Sequence, residues 1–242
     1  MKTAFLVDGG FFLRRYRRLR GDATPRKVAR DLHGMCLDHL QKLGRDKNQL
    51  YRIFYYDCPP LEKKVHNPVN SQAIDFAKSP TYAWRHDFLN ELRRLRKVAV
   101  RLGYLDANNA RWVLREDKLR ALLRKQIGID DLQPEDVKYD VRQKGVDMKI
   151  GLDIASMSYK SQVDQLVLVS GDSDFVAAAK LARREGIDFI LDPMWHKIRD
   201  DLHEHIDGLQ GTFARLPSAQ PSPGPLIDIA QQLPTETPPG NE

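Results

Sequence analysis

Short runs of consecutive apolar residues alternate along this chain with longer stretches in which apolar positions recur every three or four residues. Ala4-Phe5-Leu6-Val7 and Gln165–Val169 (QLVLV) are apolar without alternation, the pattern of strands covered on both faces. Tyr51–Tyr56 is aromatic and β-branched and predicts a second strand. Val98–Leu105, Val137–Val141 and Ile187–Leu191 predict three more. Thr24-Pro25 places a capping hydroxyl before a first-turn proline and opens a helix. Val28, Leu32, Met35 and His39-Leu40 give that helix an apolar stripe, and Gly44 stops it. Further helices are predicted over 82–97, Glu116–Gln126, Val146–Tyr159 and Asp174–Arg184. In Glu116–Gln126 the pattern turns Leu119, Leu122 and Leu123 inward.

Strands alternating with helices imply right-handed crossovers and a mostly parallel central sheet. The expected fold is therefore a three-layer α/β/α, Rossmann-like domain. Such sheets carry their reactive residues at the carboxyl ends of the strands.

Composition sharpens the picture at the ends of the chain. Of its 242 residues 41% are hydrophobic and 30% charged, the balance of a folded globular protein. Residues 217–242 hold seven of the 14 prolines and read as a disordered tail. Net charge is +6, and the tail has three acids and no base, which leaves +9 on residues 1–216. That charge fits a polyanionic partner. No apolar run approaches the ~20 residues that span a bilayer. The first residues are too soon charged for a signal peptide. Two cysteines, Cys36 and Cys58, make no disulfide framework, so the expected compartment is a reducing cytoplasm.

The chemistry is acidic. Asp8 follows the first strand directly. Asp172 and Asp174 follow QLVLV in Ser170-Gly171-Asp172-Ser173-Asp174. Asp147 opens a helix in Lys144-Gly145-Val146-Asp147. If the first strand and QLVLV are neighbours, these acids emerge at one sheet edge. Clustered carboxylates repel one another and need protons or a hard cation. Oxygen ligands without a nearby His/Cys set point to Mg²⁺ or Mn²⁺, and such a site suits hydrolysis of phosphate esters. Each acid also has an ordinary reading. Asp172 and Ser173 can cap a helix, Asp147 can sit at a helix's positive end, and Asp8-Gly9-Gly10 can be a turn. Asp153 lies six residues past Asp147 and so points about 120° away around the helix, where it is a weaker member of the set.

Val7-Asp8-Gly9-Gly10-Phe11, Lys144-Gly145-Val146-Asp147 with Asp153, and Ser170-Gly171-Asp172-Ser173-Asp174-Phe175 together resemble the three motifs of NYN domains. These belong to the PIN-like nuclease superfamily, and the LabA-like (DUF88) branch is the most similar. The resemblance implies a divalent-metal-dependent ribonuclease hydrolysing RNA phosphodiester bonds. Asp8, Asp147, Asp172 and Asp174 would be catalytic and would hold the metal, with Asp153 the weakest match. A non-catalytic RNA-binding or regulatory protein that retains the fold is the alternative. PIN-like domains often dimerise, which is the ground for expecting a homodimer. The domain would occupy residues 1–216, with an inserted helical region at about 57–97. One departure stands out: many relatives carry Asn three residues after the first aspartate, and here that residue is Phe11. A haloacid-dehalogenase phosphatase is excluded, because Leu6 stands where its nucleophilic aspartate is required.

The basic segments bear on RNA or other single-stranded nucleic acid. Arg14-Arg15-Tyr16-Arg17-Arg18-Leu19-Arg20 holds five arginines in seven residues. Arginine binds phosphate in bidentate fashion and Tyr16 offers a ring for stacking. Lys63, Lys64 and Lys144 are further candidates to meet phosphate. His196, His203 and His205 read as surface histidines, and Trp84, Trp112 and Trp195 as packing residues.

Overall fold

The two continuously apolar runs become neighbouring parallel strands at the middle of one sheet. The computed structural model describes residues 1–44 and 46–214. The tail expected over 217–242 lies outside the described residues. The chain runs β1 (Thr3–Asp8), α1 (Gly9–Arg20), α2 (Pro25–Lys42), β2 (Leu50–Asp57), β3 (Lys64–His66), β4 (Ala73–Asp75), α3 (Pro80–Arg94), β5 (Val98–Leu102) and β6 (Tyr104–Leu105). It continues through β7 (Arg111–Leu114), α4 (Glu116–Leu123), β8 (Val137–Asp140), β9 (Gln143–Lys144), α5 (Val146–Tyr159), β10 (Gln165–Val169), α6 (Val176–Arg184), β11 (Asp188–Asp192), α7 (Asp200–His203) and β12 (Gly208–Leu209).

Two compact units divide these elements. The first takes residues 1–59, 87–104 and 144 onward. Its centre is a six-stranded sheet in the order β12-β11-β10-β1-β2-β5. Every neighbouring pair in it is parallel. Helices flank the sheet. Ala4, Phe5, Leu6 and Val7 of β1 and Leu166–Val169 of β10 are all 0% exposed, so both faces are covered. That burial is why neither strand alternates in sequence. Thr3 pairs with Gln165 and Val7 with Val169, which sets Asp8 level with Ser170. Thr24 caps α2 by accepting from the Lys27 N–H.

The second unit is assembled from residues 60–86 and 105–143. It holds two antiparallel pairs, β3 with β4 and β7 with β8. Its core gathers Leu61, Phe76, Tyr139 and Val141, with Trp112 against them. Phe76 stacks on Tyr139 at 5.7 Å between ring centroids, and Trp112 meets Tyr139 edge-on at 5.4 Å.

Several expectations are corrected. Val137–Val141 contributes β8 to this second unit and not to the parallel sheet. The run Val98–Leu105 breaks at Gly103 into β5 and β6. Within 57–97, β3 and β4 are strands, and the second unit draws on a second stretch, 105–143, besides. Leu119 and Leu123 of α4 are 43% and 74% exposed, not inward. A stripe on a helix shows which residues share a face, not what covers it. Here the core is built around the rings of Tyr139 and Trp112 on short strands and Phe76 on the turn after β4. Among the described residues no helix is long and apolar enough to cross a membrane.

Candidate functional site

The chain leaves β1 towards β2 and β5 on one side, then returns to β10 and continues to β11 and β12 on the other. The direction of strand order therefore reverses between β1 and β10. In an open parallel sheet, that reversal opens a crevice at the carboxyl ends of the two strands. Asp8 and the Ser170–Asp174 turn stand at this point.

Local structure explains each position. Asp8 caps α1, its Oδ1 accepting from the Phe11 N–H at 3.0 Å. Gly9 is the only residue type that fits next, because a Cβ there would come within 2.4 Å of the Tyr55 hydroxyl. Gly171 is constrained in the same way, since a Cβ would meet the Phe11 ring at 2.7 Å and the His196 ring at 2.9 Å. Asp172 caps a short 3-10 turn, with Oδ1 accepting from the Asp174 N–H at 3.0 Å. The buried Ser170 links the two motifs. Its Oγ accepts from the Asp172 N–H at 3.2 Å and lies 3.5 Å from Asp8 Oδ2, the limit of a hydrogen bond. Capping thus uses one oxygen of Asp8 and one of Asp172.

The carboxylates feel one another. Burial raises the Asp8 pKa to about 6. The Phe11 N–H and Arg14 oppose the rise, while Asp147 and Asp57 add to it. Asp147, exposed in the first turn of α5, is also raised, by desolvation and then by Asp172 and Asp174. Asp8, Asp147, Asp172 and Asp174 therefore form one mutually repelling set. Oxygen-only donors of this kind suit a hard divalent cation. Among the described residues, however, no three His, Cys, Asp or Glu side chains converge as a ready ligand set.

Asp153 has partners of its own. It accepts from the Tyr56 hydroxyl at 2.7 Å and pairs with Arg101 Nε at 2.9 Å. Arg101 balances its charge, which sets it apart from Asp8 and Asp147.

The basic run divides by helical periodicity. Arg14, Arg17 and Arg18 are exposed on α1, and Arg17 pairs with Asp22 at 3.6 Å. Arg15 is only 9% exposed, and its guanidinium donates to the Met194 carbonyl from Nε at 2.9 Å and from Nη2 at 2.5 Å. Tyr16 is 1% exposed, and its hydroxyl donates to Asp31 at 2.6 Å. The stacking role expected of Tyr16 is therefore corrected, because no face of its ring reaches solvent. Lys63 and Lys64 belong to the second unit. There Lys63 donates to the Ala107 carbonyl at 2.6 Å and lies over the Tyr139 ring, and Lys64 faces Asp75 at 3.7 Å. Lys144 is exposed ahead of α5. Phe11 is 6% exposed and packs edge-on against His196 at 6.0 Å.

Two acids escaped the sequence reading. Asp57 ends β2 and Asp192 ends β11, each 1% exposed. Asp57 accepts from the Tyr55 hydroxyl at 3.0 Å and the Cys58 N–H at 2.7 Å. Asp192 meets His39 Nε2 at 2.7 Å and accepts from the Met194 N–H at 2.8 Å. The strand-end rule that found Asp8 applies equally to both.

A family model described as NYN domain matches residues 38–204. The match begins after β1 and α1, so Asp8 precedes it and the other four acids fall within it. No curated protein matches the chain. Among solved structures, a crystal structure of a protein of unknown function from Vibrio parahaemolyticus RIMD 2210633 is similar at 15% identity and a TM-score of 0.42. That likeness covers 86% of this chain and 90% of the other.

Proposed function

The chain belongs to the NYN domain family, and from that premise we propose that it is a divalent-metal-dependent ribonuclease of the LabA-like branch. NYN proteins are typically nucleases of the PIN-like superfamily, a nuclease domain implies a nucleic-acid substrate, and such nucleases generally use divalent metals. RNA, and Mg²⁺ or Mn²⁺, are this protein's proposed substrate and cofactor. The pairing of Lys144-Gly145-Val146-Asp147 with Ser170–Phe175 supports the branch.

The observation that carries the reading is Asp8. Its carboxyl sits at the switch point with its pKa lifted to about 6, next to acids that repel it. A site built this way is incomplete without positive charge. Asp8, Asp147, Asp172 and Asp174 would hold the divalent ion, which when bound neutralises phosphoryl oxygens and makes water more acidic. Ser170 Oγ stands between the Asp8 carboxylate and the Asp172 backbone N–H and so links the two motifs. Arg14 and Arg18 lie exposed on the helix that Asp8 caps and offer donors to the flanking phosphates.

The test is paired: cleavage of a labelled single-stranded RNA with Mn²⁺, and the same reaction in EDTA. Cleavage that stops in EDTA and in Asp172→Asn supports the mechanism. Full cleavage by Asp172→Asn refutes it. One observation favours the non-catalytic alternative. Phe11, where many relatives carry a polar Asn, is buried against Gly171 and His196 and cannot orient water. A parent protein that binds RNA and metal without cutting selects that alternative, with Phe11→Asn as the reversion to try.

A further inference from the structure

The turn after β11 is strained and heavily held. Met194 and Trp195 are consecutive non-glycine residues with positive φ, 45° and 62°. Such conformations persist only where surrounding contacts over-determine them, and they cluster at functional sites. Here the contacts are several. The buried Arg15 guanidinium grips the Met194 carbonyl, and Asp192, itself held by buried His39, grips the Met194 N–H. The Trp195 indole N–H donates to the Phe213 carbonyl at 2.7 Å, and the His196 N–H closes onto the Pro193 carbonyl at 2.7 Å.

The outcome of this construction is the placement of one exposed side chain. The His196 ring lies edge-on to Phe11 and against Gly171, between the motifs that carry Asp8 and Asp172. Phe11, Arg14, Arg15 and Arg18 follow one another at helical spacing, so they form one stripe along α1. Phe11 touches His196 and Arg15 anchors its turn, which sets the exposed Arg14 and Arg18 beside it.

We propose that His196 is a substrate-contact residue, hydrogen-bonding the phosphodiester backbone of a single-stranded RNA that enters the carboxylate site along the Arg14–Arg18 edge of α1. The proposal rests on the nuclease reading and adds to it a direction of approach. Desolvation, and then Arg15, Arg18 and Arg14, keep the His196 pKa below the ordinary histidine value. At neutral pH its imidazole is therefore neutral, able to donate and to accept. A bound phosphate offsets the arginines and strengthens the contact.

Binding is the proper readout, since it separates this contact from catalysis. A fluorescent single-stranded RNA ten-mer is titrated into the full chain in EDTA, with parent, H196A, H196Q and R14A. H196A is expected to weaken binding roughly 5- to 10-fold, the worth of one typical hydrogen bond at an exposed site. H196Q, which keeps a donor and an acceptor, is expected to stay within about 2-fold of the parent. All four should melt alike, because both side chains are exposed. The His196 Cε1–H resonance, assigned by its absence in H196Q, is expected to shift on addition of RNA, which a packing role would not produce. Parent-like affinity in H196A, with R14A weakened, overturns the assignment and leaves the nuclease reading standing. No RNA binding by the parent overturns the assignment, and if the parent also fails to cleave RNA in Mn²⁺ the nuclease reading falls with it.

Discussion

Asp8 and Asp192 occupy equivalent places, each the last residue of a parallel strand at the same sheet edge, yet their surroundings are opposite. Asp192 is 1% exposed, faces His39 at 2.7 Å and accepts the Met194 N–H. Asp8 has one firm hydrogen bond, from Phe11, and neighbours of its own sign that help lift its pKa to about 6. The first acid is complete within the fold and supports a turn. The second is left under-compensated, and an under-compensated buried charge is a site for a ligand. Position at the strand end gives an acid access to the crevice. The balance of charge around it separates an acid satisfied within the fold from one left open to a ligand.

The comparison can be broken at several points. The largest effect is expected on the under-compensated side: Asp172→Asn should lower Mn²⁺-dependent RNA cleavage on the order of 10³-fold, the scale of losing an electrostatic element of a transition-state site. Single-turnover assays against the parent measure it. On the compensated side, His39→Ala should leave Asp192 buried without its partner and cost about 3 kcal/mol of stability, read from urea unfolding midpoints. If that variant unfolds like the parent, the buried pair is not what holds the β11 turn.

A smaller effect of opposite sign is expected from Asp8→Asn. Asn caps a helix as well as Asp does, so only the charge is removed. A raised carboxyl pKa means that the folded state binds the proton more tightly than the unfolded chain. Its contribution to stability is whole below the unfolded pKa and falls away between about pH 4 and pH 6. At pH 7 in EDTA the variant should therefore be more stable than the parent by about 1–2 kcal/mol, and the gain should vanish below about pH 4. Melting curves at the two pH values decide it. The smallest effect belongs to Asp153→Asn. Its carboxylate is matched by Tyr56 and Arg101, so cleavage should change less than about 3-fold while stability drops by about 1 kcal/mol. A loss comparable to that of Asp172→Asn would return Asp153 to the metal-holding set.

Much of the frame was legible in the sequence. Unalternating apolar runs identify β1 and β10 as doubly covered strands, and the Thr24-Pro25 cap marks the start of α2. From these the edge bearing Asp8 and Asp172 follows. What the sequence withholds is compensation. Asp153 is met by Arg101 and by a tyrosine 97 residues away, and Asp192 by a histidine 153 residues away. No local pattern reports such partners. The arginine run shows the same limit, since periodicity alone does not say that Arg15 turns inward to a carbonyl 179 residues later. The aromatic run that predicts β2 stops at Tyr56, one residue short of Asp57, so the acid that ends the strand lies outside the pattern.

The pairing of β1 with β10 joins Thr3 to Gln165, the two ends of a very long loop. Closing it is slow relative to local structure, because the chain must lose the freedom of everything between before that contact repays it. During synthesis β1 and β2 can pair early, while the strand carrying the second half of the acid set emerges more than a hundred residues later. The site therefore forms as a late event of folding, and a chain that ends short of Gln165 has half a crevice. A nascent fragment that stops short of Gln165 therefore holds Asp8 without the acids of the Ser170–Asp174 turn.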